Sequence, residues 1–305
     1  MRVFLTGATG YVGSYVLRTL LDQGHRPRCL VRGSGDDLVR HDDPVDVVSG
    51  DVTDPTSLNG LLDDCDAVIH LVGIIEEHPR QGVTFERIHV DGTRHVVEAA
   101  RAAGVDRFIH MSANGAQPND ATGYQRTKWE AEQIVNEAGF DHWTIFRPAL
   151  LFGAPDPGRP EFSSRLLKKL VRPFPLLPVF GDGQYDLQPV HVTEVADAFV
   201  QALTTEAARE QTYVAAGPDR IPYVEVLDRI ARGAGFSPKP TTPVPLALAR
   251  LGVYTAGRLG LLPISPSQFE MLVEGNTGDE TAFYRDFALS ATPYTPETLQ
   301  YLQST

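Results

Sequence analysis

A chain of 305 residues with 42% hydrophobic and 22% charged residues has the balance of a soluble globular protein, long enough for one large core or two modest ones. Its formal net charge of -12 argues against nucleic acid as a partner, because phosphate backbones need a basic face. No apolar run reaches the roughly 18 residues that span a bilayer, and the short apolar start runs directly into glycines, unlike a signal peptide, so a cytoplasmic location is expected.

The chain opens on MRVFLTGATGYVG. Val3, Phe4 and Leu5 read as a strand, Gly7, Gly10 and Gly13 as a tight turn, and Tyr11 to Leu21 as the helix that follows. A side chain at Gly7 or Gly10 would block the close approach of a pyrophosphate, and Gly13 lets the helix sit against the strand. The N–H groups of Tyr11 and Val12 then face the anion. A dinucleotide is therefore the expected ligand.

Further apolar runs predict strands at Arg26 to Val31, Val45 to Val48, Ala67 to Val72, Arg107 to Met111 and Trp143 to Phe146. Helical patterns lie between them at Thr56 to Leu62, Phe85 to Ala103 and Tyr124 to Ala138. This alternation predicts an α/β Rossmann fold, a doubly wound parallel sheet with helices on both faces. Cys29 and Cys65 fall in or beside strands without metal-ligand spacing and read as buried thiols; no metal site is predicted.

In dinucleotide turns of this kind an acidic residue at the end of the second strand holds the ribose 2'-OH; here the place is taken by Arg32. A guanidinium suits a 2'-phosphate, with Arg28 as a second candidate, so NADP(H) is favoured over NAD(H). Asp51 and Val52, after the third strand, are placed to meet the adenine edge, although a turn carboxylate is the plainer role.

Tyr124 and Lys128 stand four apart in a helical pattern and share one face. An ammonium beside a phenol is expected to lower the phenol's pKa from about 10 towards the range of a working general acid or base. Ser112 follows the fifth strand at the carboxyl end of the sheet, where its hydroxyl could hold a substrate carbonyl. Lysine is rare here, with only Lys128, Lys168, Lys169 and Lys239 among the 27 basic residues, so Lys128 reads as a placed residue.

After Pro148 prolines and glycines become frequent and the alternation breaks down. A nucleotide-binding domain over 1–153 and a smaller substrate domain over 154–305 are expected, with roughly 186–216 returning to the first. Val190 to Leu203 reads as a short extended segment entering a helix with Thr193 as its N-cap, followed by a strand at Thr212 to Ala216 and a helix at Tyr223 to Ala234. Leu246 to Leu262 is apolar but carries Arg250 and Arg258, and reads as core or pocket lining in preference to a membrane-surface helix.

Taken together, Gly7-x-x-Gly10-x-x-Gly13, Asp51-Val52, Ser112, Tyr124-x-x-x-Lys128 and Arg147-Pro148 resemble the short-chain dehydrogenase/reductase superfamily in its extended and atypical branches, and Pro189-Val190-His191-Val192 resembles a stretch of the extended branch. His70-Leu71-Val72-Gly73, Ser112 to Ala116, Arg147 to Gly153 and Leu262-Pro263-Ile264-Ser265 to Asn276 are most similar to the NAD-dependent epimerase/dehydratase-like group that contains the nucleotide-binding accessory subunit of respiratory complex I. The resemblance implies catalysis by Ser112, Tyr124 and Lys128. It implies cofactor contacts from Gly7, Thr9, Gly10, Tyr11, Val12, Gly13, Arg32, Asp51, Val52, Leu71, Val72, Gly73, Tyr124, Lys128 and Pro148. Where many catalytic relatives carry a helix-borne Asn in a proton relay, this chain has His89. Three functions stay open: an NADP(H)-dependent oxidoreductase acting on a small, partly apolar carbonyl or alcohol, a non-catalytic NADPH-binding accessory or sensor protein, and a nucleotide-sugar epimerase or dehydratase. The last would need basic groups for a diphosphate, for which Arg147, Arg159, Arg165, Lys168 and Arg172 are available.

Overall fold

The computed structural model describes residues 1–33, 45–119, 123–156, 159, 161–257 and 266–304. Arg258 and Leu262 to Ser265, which entered the readings above, lie outside the described residues. The chain divides into two compact units, one of Met1–Pro148, Thr193–Val214 and Thr281–Leu289, the other of Ala149–Val192, Ala215–Glu280 and Ser290–Thr305. Among the described residues, no helix is long and apolar enough to cross a membrane.

The first unit is a seven-stranded sheet with flanking helices. Its elements in chain order are β1 (Arg2–Thr6), α1 (Tyr11–Asp22), β2 (Arg26–Val31), β3 (Asp46–Ser49), β4 (Ala67–His70), α2 (Gly92–Ala102), β5 (Arg107–Met111), α3 (Tyr124–Glu137) and β6 (His142–Pro148). The strands lie in the order β3-β2-β1-β4-β5-β6, all parallel, and Gln211–Ala215 flanks β6. The order reverses between β1 and β4, where a Rossmann sheet opens a crevice at the carboxyl ends of its strands. Burial on both faces explains the apolar runs: Val3, Phe4, Leu5, Ala67, Val68, Ile69, Phe108 and Ile109 are fully buried.

Phe146 on β6 explains why two remote segments join this unit. Its ring packs 4.6 Å from Phe199, 5.7 Å from Tyr213, 5.4 Å from Phe287 and, edge-on, 6.3 Å from Phe283. Aromatic side chains carry the largest apolar areas in the chain, so the segments that bear them are held where those areas are covered. The helix Val192–Gln201 starts one residue before Thr193, so that residue lies within the first turn and is not the cap expected from the sequence.

Two helical expectations change form. Thr56 to Leu62 is only a 3₁₀ turn over Pro55–Leu58, capped by the Asp54 carboxylate on the Thr56 N–H and closed by Gly60 at φ 72°. The Phe85 to Ala103 pattern begins with a π-helical turn, Glu86–Asp91, before α2, and the wider turn buries Ile88, His89 and Val90 in succession. Such turns re-aim side chains and recur at functional sites.

In the second unit, Phe152, Leu167, Leu177, Leu187, Ile221, Tyr223, Leu227, Ile230, Tyr294 and Leu302 form the core under three short two-stranded ladders. Buried Glu161 caps the helix Phe162–Leu166 through 2.6 Å bonds from the Ser163 and Ser164 N–H groups and takes a 3.1 Å bond from Tyr301. Of the stretch from Leu246 expected as core or pocket lining, the described residues Ala249 and Val253 pack in a core with Phe269, and Arg250, Leu251 and Tyr254 line a shallow open depression with Glu270. Leu248 and Leu251 are 62% and 63% exposed, with Leu246 and Tyr254 also on the surface. The helix Leu246–Gly252 is short, and only one of its faces finds a partner. Cys65 is half-buried and Cys29 buried, both free, and burial pushes the Cys29 thiol up to about 12.

Candidate active site

The turn after β1 is built by exclusion of side chains. Gly7 sits at φ 78°, and a Cβ on Gly13 would lie 2.0 Å from the Gly7 carbonyl oxygen, so α1 starts hard against the strand end. The Gly10 N–H closes the turn on the Gly7 carbonyl at 2.9 Å. At the start of α1, Gly10 offers no capping side chain, the arrangement that lets a helix N-terminus take an anion. Thr9 lies within this turn. A Cβ on Gly7 would also come within 3.1 Å of the Leu71 carbonyl carbon and 3.2 Å of the Val72 nitrogen, so the end of β4 borders the same cradle. These residues fit a dinucleotide pyrophosphate.

On the adenosine side, Arg32 lies just past β2, exposed, with no partner for its guanidinium among the described residues. Arg28 does not share that freedom. It donates to the Asp46 carboxylate at 2.6 Å and to the Leu61 and Asp63 carbonyls at 3.1 and 2.9 Å, so it braces β2 against its neighbours and drops out as a phosphate ligand. Asp51 accepts from the Thr53 N–H and hydroxyl through one oxygen, at 2.8 and 2.9 Å, which fixes its carboxylate on a turn. Val52 is buried, and its carbonyl bonds the His95 ring at 2.8 Å.

Ser112, Tyr124, Lys128 and Gly73 gather around the ends of β4 and β5. Ser112 is 2% exposed, with its N–H on the Phe146 carbonyl at 2.8 Å and its hydroxyl without a partner among the described residues. Tyr124 opens α3, half-buried, with its ring edge-on to Phe85 and His89 at 5.5 Å. One turn on, buried Lys128 donates from Nζ to the Met111 carbonyl at 3.0 Å. A Cβ on Gly73 would stand 2.9 Å from that Nζ and 3.6 Å from His89 Nε2, so glycine is what lets the β4 loop pass the lysine. Pro148 ends β6, and its carbonyl accepts from the Asn114 N–H at 3.0 Å.

The electrostatics differ from expectation. Burial pushes the Tyr124 phenol up to about 12, with no opposing pull from Lys128, whose ammonium is engaged by the Met111 carbonyl. Burial also lowers Lys128 to about 8, against the pull of Glu132. The expected lowering of the phenol is thus not present in this arrangement.

His89 is fully engaged. Thr127 donates its hydroxyl to the Gly123 carbonyl at 2.8 Å and receives His89 Nδ1 at 3.0 Å, while the Ile74 N–H meets Nε2 at 3.1 Å. Nε2 also lies 3.1 Å from the Ile74 carbonyl, and burial keeps the ring neutral with its pKa held down at about 2. Two further buried histidines were not expected. His70 and His110 are paired across β4 and β5 and stack at 5.5 Å. His70 is held by Thr6 at 2.7 Å and Thr93 at 3.2 Å, whereas neither nitrogen of His110 has a partner among the described residues. The signal was present, since each histidine interrupts an apolar run, AVIHLV and RFIHM, and the two share one register position. Arg147 is corrected as well: it makes a two-pronged pair with buried Glu132 at 2.8 and 2.5 Å and is not free for a diphosphate.

Residues 3–216 match the model of the NAD dependent epimerase/dehydratase family. The chain belongs to that family. Among relatives, it is 32% identical over 260 residues to a ceramide reductase of Caulobacter vibrioides, covering 84% of this chain and 76% of that one. It is 30% identical over 237 residues to the mitochondrial NADH-ubiquinone oxidoreductase 40 kDa subunit of Neurospora crassa, covering 74% of this chain but 58% of the subunit. The fold is shared with a UDP-glucuronic acid 4-epimerase of Bacillus cereus in complex with UDP-glucuronic acid and NAD, at TM-score 0.76 and 18% identity over 100% of this chain and 98% of that one. Family membership, reductase and complex I subunit relatives and the Rossmann sheet agree with the resemblance read from the sequence.

Proposed function

We propose that this family member is an NADP(H)-dependent oxidoreductase that reduces a partly apolar carbonyl compound or oxidises the corresponding alcohol. The observation that carries the reading is the Ser112 hydroxyl, buried and without a partner among the described residues at the carboxyl end of β5, whose neighbouring Met111 carbonyl holds Lys128. A buried hydroxyl left unpaired costs roughly 1–3 kcal/mol, a cost that a bound carbonyl oxygen removes.

The bound cofactor would supply or accept a hydride at the substrate carbon. Ser112 holds the substrate oxygen. Tyr124, whose raised pKa keeps its proton on at neutral pH, donates that proton to the oxygen as the carbonyl carbon gains the hydride. Gly7, Thr9, Gly10, Tyr11, Val12 and Gly13 would hold the pyrophosphate, Arg32 the 2'-phosphate, Asp51 and Val52 the adenine edge, and Leu71, Val72, Gly73, Lys128 and Pro148 the nicotinamide half.

Titration of the protein with NADPH, followed by a panel of ketones and aldehydes that includes ceramide-like lipids, tests this reading. NADPH should bind, and at least one carbonyl compound should oxidise it. A second reading, a protein that binds NADPH without turnover, is favoured by the engaged His89 ring and by the similarity to a complex I subunit. Tight NADPH binding with no oxidation across the panel would select it.

A further inference from the structure

The chain is acidic as a whole, yet one surface segment of the second unit is strongly basic. Residues 165–177, RLLKKLVRPFPLL, carry Arg165, Lys168, Lys169 and Arg172 and no acidic residue. The four cations fall at helical spacing on the outer side of the turns Phe162–Leu166 and Leu167–Val171, while Leu167, Leu170 and Val171 point into the core. All four are exposed, and none has an acidic partner among the described residues. Elsewhere in this unit Arg229 pairs with Glu225, Arg232 with Asp228 and Arg250 with Glu270, while Arg220 bonds the Gly278 carbonyl.

Apolar side chains follow the cations directly. Phe174 and Leu176 are 46% and 45% exposed, and the five residues from Arg172 to Leu176 are all on the surface. Lys239 fixes this loop, donating to the Val171 carbonyl at 2.5 Å and the Phe174 carbonyl at 2.9 Å. Three of the chain's four lysines therefore serve one short segment. The fold uses a lysine to hold two large apolar side chains in water, beside four cations without an acidic partner among the described residues.

We propose that residues 165–176 dock the protein on the surface of an anionic phospholipid bilayer, with the cations at the headgroups and Phe174 and Leu176 inserted at the acyl boundary. This combination is what surface binding requires, because hydrophobic insertion or charge alone gives weak, reversible association. The overall charge of -12 does not oppose it decisively. Screening confines electrostatics to about 8 Å at physiological salt, so the local cations act on the membrane and distant carboxylates act little. This inference is independent of the reaction proposed above.

The test uses the full chain with vesicles of phosphatidylcholine alone and of phosphatidylcholine with phosphatidylglycerol. Binding should occur to the anionic vesicles and fall with added salt. Each cation neutralised should weaken it by about fivefold, so the variant Arg165→Gln, Lys168→Gln, Lys169→Gln, Arg172→Gln should lose measurable association. Independently, the indole introduced by Phe174→Trp in the otherwise native chain should shift its emission to the blue on anionic vesicles and be quenched by brominated lipid. No association at low salt, undiminished binding of the four-fold variant, or unshifted indole emission from the Phe174→Trp variant would each overturn the proposal. So would tight binding of heparin without binding of vesicles, which marks a polyanion site, or release from vesicles by UDP-glucose, which marks a diphosphate subsite.

Discussion

The two units differ most in what they leave on the surface. Both bury polar atoms without a partner among the described residues, Tyr185 and Asn276 in the second and His110 and Ser112 in the first, but the first sets His110 and Ser112 on either side of the Met111 carbonyl that holds Lys128, and few of its large apolar side chains reach the surface. The second satisfies its buried Glu161 and exposes Phe174, Leu176, Leu246, Leu248, Leu251 and Tyr254. Buried unpaired polar groups and exposed apolar clusters are the two departures that carry information, since each costs stability that folding alone would not retain. The proposed chemistry lies in the interior of the first unit and the proposed contact on the surface of the second.

The strongest way to break that contrast is to remove one oxygen from its chemical side. Tyr124→Phe should lower turnover of any substrate found by about 10²–10⁴-fold, the size of a positioned general acid, and leave NADPH affinity within a few-fold. Lys128→Ala should damage both. Turnover that survives Tyr124→Phe undiminished would remove Tyr124 from the mechanism.

Legibility in the sequence follows the same division. β1, β2, β5 and α3 were readable because a parallel sheet demands apolar runs and a phosphate turn demands glycine at Gly7, Gly10 and Gly13. The pairing of Tyr124 with Lys128 followed from helical spacing alone. The electrostatics were not readable: the sign of the Tyr124 shift depends on burial and on the Met111 carbonyl that engages Lys128, a tertiary contact. Arg28 and Arg147 looked like free cations because their partners, Asp46 and Glu132, come from other elements. The π turn that carries His89 inward leaves no mark in the hydrophobic pattern, which continues through it. In the second unit the exposed face of Leu246–Gly252 defeats a rule that apolar means buried, for that rule runs in one direction only.

The buried histidines give the next effect. Burial holds His70 at about 3 and His89 at about 2, and drives His110 well below its ordinary value. Their folded pKa values lie below the unfolded value of about 6.5, so between these limits the unfolded chain binds more protons than the folded one. Stability should therefore be fully present above about pH 6.5 and fall as pH drops, by up to about 1.4 kcal/mol per pH unit for each histidine. Urea denaturation at a series of pH values from neutral to mildly acidic measures the slope. His110→Phe, which replaces an unpartnered ring among apolar neighbours, should flatten it, and an unchanged slope would show that His110 is not protonated on unfolding in this range.

Cofactor choice is a smaller difference. If Arg32 pairs with a 2'-phosphate, NADPH should bind more tightly than NADH by about 1.5–3 kcal/mol, the range for hydrogen bonds to charged groups. The preference should shrink with added salt because the guanidinium is exposed. Calorimetric titration of both nucleotides against the native chain and Arg32→Ala decides it, and equal affinities would transfer the specificity to another residue.

The smallest effect sharpens the surface side of the comparison. Leu248 and Leu251 are more than half exposed, whereas Ala249 and Val253 on the same turns are buried against Phe269. If that exposure is the state of the folded chain in solution, Leu248→Ser and Leu251→Ser remove area that was never withdrawn from water, and each should change unfolding stability by no more than about 0.5 kcal/mol. A neutral result leaves the six exposed apolar side chains as surface available for contact. A loss above about 1 kcal/mol at either position, read from denaturant midpoints at unchanged slope, would mean that the leucine is covered in the folded chain, and the second unit would lose part of the apolar surface that sets it apart from the first.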